Sequence, residues 1–284
     1  MTSGNRLTAL LRASLVPLAA FALTLFCINV AHAELVGLWR FEGDATDSSM
    51  NGNHGTFVNG ALLDPEVPAA LGAASSQSLF LSGVTRHTQH VLVPHHDSLN
   101  ITRDMTIAAW IKPEGNIEWD GVIAKNPSDG SANNHAGNFE LRVENNTRVL
   151  NLLWQRGGVD DTTGTTCCGG TVLEGTWTHV AVTTNGINSL FYVNGSLVGT
   201  NLAPAELFPN TSPLFIGSRN DLFTPMNGYL DDVALFNEVL SEAQIGTIMG
   251  GDFSEHIIPE PSSLVLAALG LLGVLGLRRR RTSQ

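Results

Sequence analysis

Cysteine is scarce. Of the three cysteines, Cys27 falls in an N-terminal apolar run, and Cys167 and Cys168 are adjacent. No CxxC or Cys/His array exists to hold zinc. Basic residues are scarce too. Setting aside Arg6, Arg12, Arg278 to Arg281 and Glu260 leaves residues 34–258 with 9 basic and 25 acidic side chains, a balance of about −16. A surface of that sign repels nucleic acid and anionic membranes, and it suits divalent cations or neutral sugars. Also missing are a Gly-x-Ser-x-Gly elbow, a phosphate-binding glycine loop and a metalloprotease helix motif.

What is present is clearest at the ends. Arg6 and Arg12 precede an apolar run from Leu15 to Val30, after which comes Ala31-His32-Ala33. A basic start, a short apolar stretch and small residues before a cut describe a secretory signal, so residues 1–33 are expected to leave and Glu34 to become the mature start. The alternative is an uncleaved anchor, for which the run is short. At the other end, Pro259-Glu260-Pro261 precedes an apolar stretch from Leu264 to Leu277 and then Arg278, Arg279, Arg280 and Arg281. Prolines break regular structure, the stretch is lipid-compatible, and the arginines stay cytoplasmic by the positive-inside bias. Residues 259–284 thus resemble the PEP-CTERM sorting signal of Gram-negative bacteria. The resemblance implies processing by an exosortase, a membrane-embedded transpeptidase, after transient inner-membrane anchoring on the way to the cell surface or matrix. A plain C-terminal anchor is the alternative.

Residues 34–250 read as short strands. Leu35 to Phe41, Ser78 to Leu81, Val91 to Val93, Met105 to Lys112, Gly121 to Lys125, Pro213 to Gly217 and Gly228 to Phe236 are apolar runs punctuated by turn residues. Phe139 to Val143 and Val149 to Trp154 form an expected hairpin. Thr178 to Thr184 alternates, with His179, Ala181 and Thr183 on one face. Asn194-Gly195 joins Ser189 to Val193 and Ser196 to Thr200, a strong two-residue hairpin signal. Ser241 and Gln244 make a capping box ahead of Ile245 and Ile248, which predicts one helix. Asn126 to Gly137 is expected as a long loop and residues 251–258 as a linker. Many short strands in one uninterrupted segment predict an all-β, two-sheet antiparallel sandwich.

Six segments in order resemble laminin-G-like, concanavalin A-like jelly rolls: Leu38-Trp39-Arg40-Phe41 with Asp47-Ser48-Ser49; Ser78 to Gly83 with Val91 to Pro94; Met105 to Pro113; Gly175 to Val182; Phe191 to Gly195; and Phe215 to Ser218 with Asn227 to Val233. The resemblance implies that fold over residues 34–250. The turn Ser82 to His87 departs from the acidic turn common there.

Residue chemistry points to several candidate sites. Asp47-x-Ser49-x-Asn51-Gly52, with Asn53, spaces oxygen side chains as the first half of a calcium loop does, although Val58 stands where a distal glutamate belongs. The jelly-roll resemblance implies that Asp232 reaches the same edge and completes a structural calcium site; the alternative is an Asx turn. Trp119 and Asp120 in a polar loop, with Arg156, offer a stacking face and hydroxyl partners for a sugar. Trp39, Trp110 and Trp177, each within a strand signature, read as core, Trp154 more as core than surface, and the jelly-roll resemblance implies that His179 is a structural residue within the sandwich. His87, His90, His95 and His96 read as solvated loop residues. Cys167 and Cys168 are expected to bond in an oxidising compartment. Glu42-x-Asp44-x-x-Asp47 and the pair Glu140 and Glu144 are the nearest approach to glycanase carboxylates. The sorting-signal resemblance implies matrix association, so the expectation is a non-enzymatic exported module that binds extracellular polysaccharide, with protein adhesion the alternative and a degenerate glycanase third.

Overall fold

The computed structural model describes residues 35–83, 89–115, 119–125, 139–144, 146–155, 163–202, 206–207, 209–219 and 225–257, with backbone alone at 155 and 163–168. The signal segment, the loop after Lys125, Arg156 and the whole sorting tail lie outside these residues, as do the side chains of Cys167 and Cys168. In chain order the strands are β1 (Leu35–Trp39), β2 (Thr56–Val58), β3 (Leu62–Asp64), β4 (Ser78–Ser82), β5 (His90–Val93), β6 (Met105–Pro113), β7 (Trp119–Ala124) and β8 (Phe139–Glu144). They continue with β9 (Val149–Gln155), β10 (Thr163–Thr171), β11 (Thr178–Thr184), β12 (Asn188–Val193), β13 (Ser196–Leu202), β14 (Leu214–Ile216) and β15 (Asn227–Phe236), and α1 spans Glu242–Met249.

These strands build two antiparallel sheets. The first runs β13-β12-β11-β6-β15-β4-β3, with β1 also on β15; the second runs β10-β9-β8-β7-β14-β5-β2. Alternate residues meet between them. Leu79, Ile107, Ile111, Val180, Val182, Leu230 and Leu235 of the first sheet face Val91, Val122, Phe139, Leu141, Val143, Leu152 and Ile216 of the second. Fully burying one such side chain contributes roughly 1.5–3 kcal/mol before cavity terms. The jelly-roll sandwich expected from the sequence is the fold.

The first sheet also has a second buried face. Ala108, Ala181, Tyr192, Ala234 and Phe236 point outward and are covered by Ile245 and Ile248 of α1 and by Phe253. That cover is why every residue from Thr178 to Thr184 is buried despite the alternating sequence. The capping box at Ser241 and Gln244 forms as expected and fixes where α1 begins. Asn194 and Gly195 both have positive φ (49° and 77°), the conformation a two-residue hairpin needs.

A bulge sets which way the side chains of β15 point. β15 pairs Asp231 with Trp110 and then Ala234 with Ala108, so one extra residue is accommodated around Asp232, whose φ is 43°. Tyr229 and Asp231 before the bulge, and Ala234 and Phe236 after it, therefore share the outer face.

Three strands are not expected from the sequence: β2, β3 and β10. The first two are only three residues long, and β10 reads Thr-Gly-Thr-Thr-Cys-Cys-Gly-Gly-Thr with no apolar alternation. A Cβ on Gly169 would lie 2.1 Å from the Phe191 ring, so glycine there lets β10 close against β12. The segment from Gly251 to Ile257 is not the free linker expected. Phe253 and His256 are buried, and Arg40 Nη2 donates to the Gly251 carbonyl at 2.6 Å.

Candidate functional site

α1 covers only one half of the outer face of the first sheet. On the other half the strand register lines up Leu62 with Phe80, Phe80 with Tyr229, and Tyr229 with Lys112, across β3, β4, β15 and β6. Trp177 stands beside this row, one residue before Thr178, which pairs with Ile111. The rings form a continuous strip: Phe80 to Tyr229 centroids are 5.1 Å apart and Tyr229 to Trp177 are 6.1 Å. All three rings are half-buried, and Leu62 at the end of the row is exposed.

Polar groups hold the strip in place. Glu66 Oε1 accepts from Trp177 Nε1 and from Lys112 Nζ, each at 3.1 Å, so one carboxylate orients both side chains. Lys112 also pairs with Glu114 at 3.3 Å and lies 5.0 Å over the Tyr229 ring. Burial works against the ammonium charge, but Glu66 and Glu114 outweigh it and raise the Lys112 pKa. Burial, together with Glu114 and Asp64, raises the Tyr229 phenol, so both stay protonated at neutral pH. The result is an apolar, electron-rich strip edged by carboxylates and one ammonium. Such a surface stacks on the apolar face of a sugar ring while its rim hydrogen-bonds hydroxyls.

Sequence reasoning misses this row. Trp177 reads as core because it falls within the strand signature Gly175 to Val182. The register puts Trp177 and His179 on one face, but His179 lies under α1 and Trp177 lies beyond it. His179 is fully enclosed, edge-on to Trp110 at 5.4 Å, and burial pushes its pKa down to about 3. It is a neutral structural residue. Trp110 sends Nε1 to the Met249 carbonyl, and Trp39 is core. Trp154 packs on the main core.

The expected sugar-binding residues are placed differently. Trp119 and Asp120 are on β7, not in a loop. The Arg142 guanidinium sits 3.6 Å from the Trp119 ring centre, covering one face of it. Asp120 is fully buried, pairs with Arg148 at 3.4 Å and accepts from the Asn227 backbone. It fixes the start of β15 and so the aromatic row.

The residues expected to hold calcium do gather, apart from Asp232. Asp47 Oδ1 accepts from the backbone of Leu38 and Ser49, and Oδ2 from Ser49 Oγ and the Asn53 backbone, at 2.8–3.0 Å. Asn51 and Asn53 donate to the carbonyls of Leu35 and Val36. This is a buried Asx turn that fastens the chain to β1. A cation at Asp47 would have to displace four hydrogen-bond donors, so the donor set fits calcium poorly. Asp232 takes Arg40 instead, at 3.2 Å. Among the described residues no three His, Cys, Asp or Glu side chains are grouped to hold a metal ion.

The remaining candidates have partners within the fold. Glu42 accepts from Ser76 and Gln77. Glu140 is buried beside Arg142 and Arg219, 3.6 Å from each, and Glu144 takes the Thr147 hydroxyl. His90 is buried on β5, and His96 caps the turn at Asp97–Leu99. His95 Nδ1 faces the ammonium of Lys125 at 3.3 Å. Lys125 is wholly buried on carbonyls of Asn210 and Ser212, and desolvation lowers its pKa to about 8. A polar cavity of about 420 Å³ opens by Ser98, Asn100, Arg103, Asp104 and Asn237, but no aromatic ring lines it.

With these features in place, comparison gives the family. Residues 85–246 match the model Laminin_G_3, described as the concanavalin A-like lectin/glucanases superfamily, and the chain belongs to it. Residues 258–281 match the PEP-CTERM protein-sorting motif, which implies export and exosortase processing. Adhesion G-protein coupled receptor V1 of Danio rerio is 26% identical over 185 residues, which is 61% of this chain and 3% of the receptor. The chain thus spans a small fraction of that relative. Domain 4 of AbnA, an extracellular GH43 arabinanase of Geobacillus stearothermophilus solved with arabinotriose, has a TM-score of 0.57 at 15% identity, covering 77% of this chain and 99% of that one. The binding domain of Paraclostridial Mosquitocidal Protein 1 gives 0.56 at 16%, covering 78% and 53%. A structure of botulinum neurotoxin type C, whose cell entry is dependent upon interaction with two ganglioside molecules, gives 0.56 at 15%, covering 78% and 51%. At these identities the likeness is one of fold.

Proposed function

We propose that this protein is a non-catalytic surface module that holds a neutral extracellular polysaccharide along the row Phe80, Tyr229 and Trp177. The single observation that carries the reading is that row: aromatic rings, spaced 5.1 and 6.1 Å, left open on a face whose other half is sealed. A continuous strip suits a chain of sugars more than a single ring. Glu66, Glu114 and Asp64 beside it disfavour an acidic polymer, as does the overall charge. Structural neighbours solved with arabinotriose or tied to gangliosides are in keeping with sugar binding, and the sorting motif supports a place at the surface. Protein adhesion is the second reading, favoured by the match to an adhesion receptor.

The full exported chain should be tested on a neutral and acidic glycan array beside the double variant Trp177→Ala, Tyr229→Ala. Retention on neutral glycans that the variant loses, with its melting temperature kept, is the expected result. A blank array, or binding that survives in the variant, removes the proposal.

A further inference from the structure

From Gly175 to Ala205 the chain contains no Asp, Glu, Lys or Arg. That run builds β11, β12 and β13 in a molecule that is otherwise strongly acidic. β13 is the last strand of the first sheet, and among the described strands of that sheet it pairs with β12. Its three large apolar side chains are exposed: Leu197, Val198 and Leu202 are 47, 43 and 78% exposed. Ile187, next to the Asn188 that pairs with Leu202, adds a 60% exposed side chain at the same corner.

Edge strands of soluble proteins are blunted by charge, proline or a bulge, because unpaired backbone groups invite another strand. Ser196–Leu202 has neither charge nor proline. The one irregularity falls at Val198, where Phe191 pairs with Gly199 and Tyr192 with Leu197. It leaves Gly199 to Leu202 regular. The opposite edge differs, since β3 ends in Asp64 and Glu66 lies two residues on. The neutral edge is therefore local to one side of the sandwich.

We propose that β13 pairs antiparallel with β13 of a second copy of this chain. Charge selects that occupant. Two molecules this acidic repel each other in most orientations, and a two-fold contact at β13 brings together the strip that carries no charge on either copy. A basic partner would find no carboxylate there. An isologous contact also closes on itself, so it yields a dimer and not a fibre. Because the two-fold of a sheet continued edge to edge stands perpendicular to it, the outer faces of both copies look the same way. The two aromatic rows would then meet one polymer together, a consequence that rests on the proposed function although the dimer does not.

Light scattering on the full exported chain in detergent, without glycan, should give twice the chain mass. Leu197→Lys with Leu202→Lys should give the monomer mass with an unchanged melting temperature, as both side chains are exposed. Hydrogen exchange separates this contact from association through the tail: between Gly199 and Leu202, the alternate amides that point away from β12 should be protected in the parent and exchange freely in the variant. A monomeric parent, a dimer that persists in the variant, unprotected β13 amides, or a complex with a different protein would each overturn the proposal. Glycan binding by the monomeric variant tests the aromatic row separately.

Discussion

Trp177 Nε1 donates to Glu66 Oε1 across 3.1 Å, and Lys112 donates to that same oxygen. A residue from the β3–β4 connection thereby sets the angle of a ring that precedes β11, and the ring's face is left for a ligand.

That relationship separates stacking from orientation. Trp177→Phe keeps an aromatic face and loses the bond to Glu66, so it should weaken polysaccharide retention less than Trp177→Ala does. Tyr229→Ala, at the middle of the row, should cost about tenfold in affinity, or roughly 1.4 kcal/mol. Affinity electrophoresis in glycan-containing gels measures all three.

Asp231 and Asp232 make stability fall as pH rises. Burial and the neighbouring Asp232 push Asp231 up to about 8, against hydrogen bonds from Ser75 and the Asp232 backbone. Burial lifts Asp232 to about 6, against Arg40. The folded protein keeps protons that the unfolded chain releases near pH 4, so folding takes up protons between about pH 4 and 8. Stability from this pair is therefore greatest at the acid end and declines toward pH 8. Asp231→Asn should flatten that decline and stabilise the fold at pH 8 by on the order of 1–2 kcal/mol, read from denaturant midpoints across the range.

Asp47→Ala removes four accepted hydrogen bonds and strands buried backbone donors. It should cost about 3 kcal/mol. Calcium and a chelator should give superimposable melting curves for the parent protein. A rise with calcium that vanishes in Asp47→Ala would mean that the ion displaces those donors and that the expected site exists.

The sorting motif predicts a processed end. In a host with an exosortase, intact mass should show the protein without Arg278 to Arg281, and deletion of that enzyme should leave the cluster attached in the membrane fraction. The same arginines found in both strains would reduce the tail to an anchor.

The fold is legible wherever short-range chemistry decides it. Asn194-Gly195 sets one hairpin, Ser241 with Gln244 sets the helix start, and alternation in β11 sets its facing residues. β2, β3 and β10 are not legible, because their pairing is dictated by neighbours and not by their own pattern. The site is hidden for a related reason. Trp177, one residue before β11, and His179 within it fall on the same face and look alike in sequence; what distinguishes them is how far α1 reaches. Asp120 looks like a loop carboxylate because its partner Arg148 is 28 residues away. The resemblance puts Asp232 at the edge beside Asp47, and the bulge gives it to Arg40.

The way the domain ends has a mechanical consequence. Arg40 grips the Gly251 carbonyl and lies 5.4 Å from the Phe253 ring, and His256 packs on Phe236 at 5.0 Å. Residue 257 is thus still fastened to the sandwich, and the sorting motif starts at residue 258. Residues 251–257 therefore cannot pay out as a free tether: a pull on the chain beyond residue 257 is met by the Arg40 grip on Gly251 and passes through Arg40 and its partner Asp232 to the strands β1 and β15.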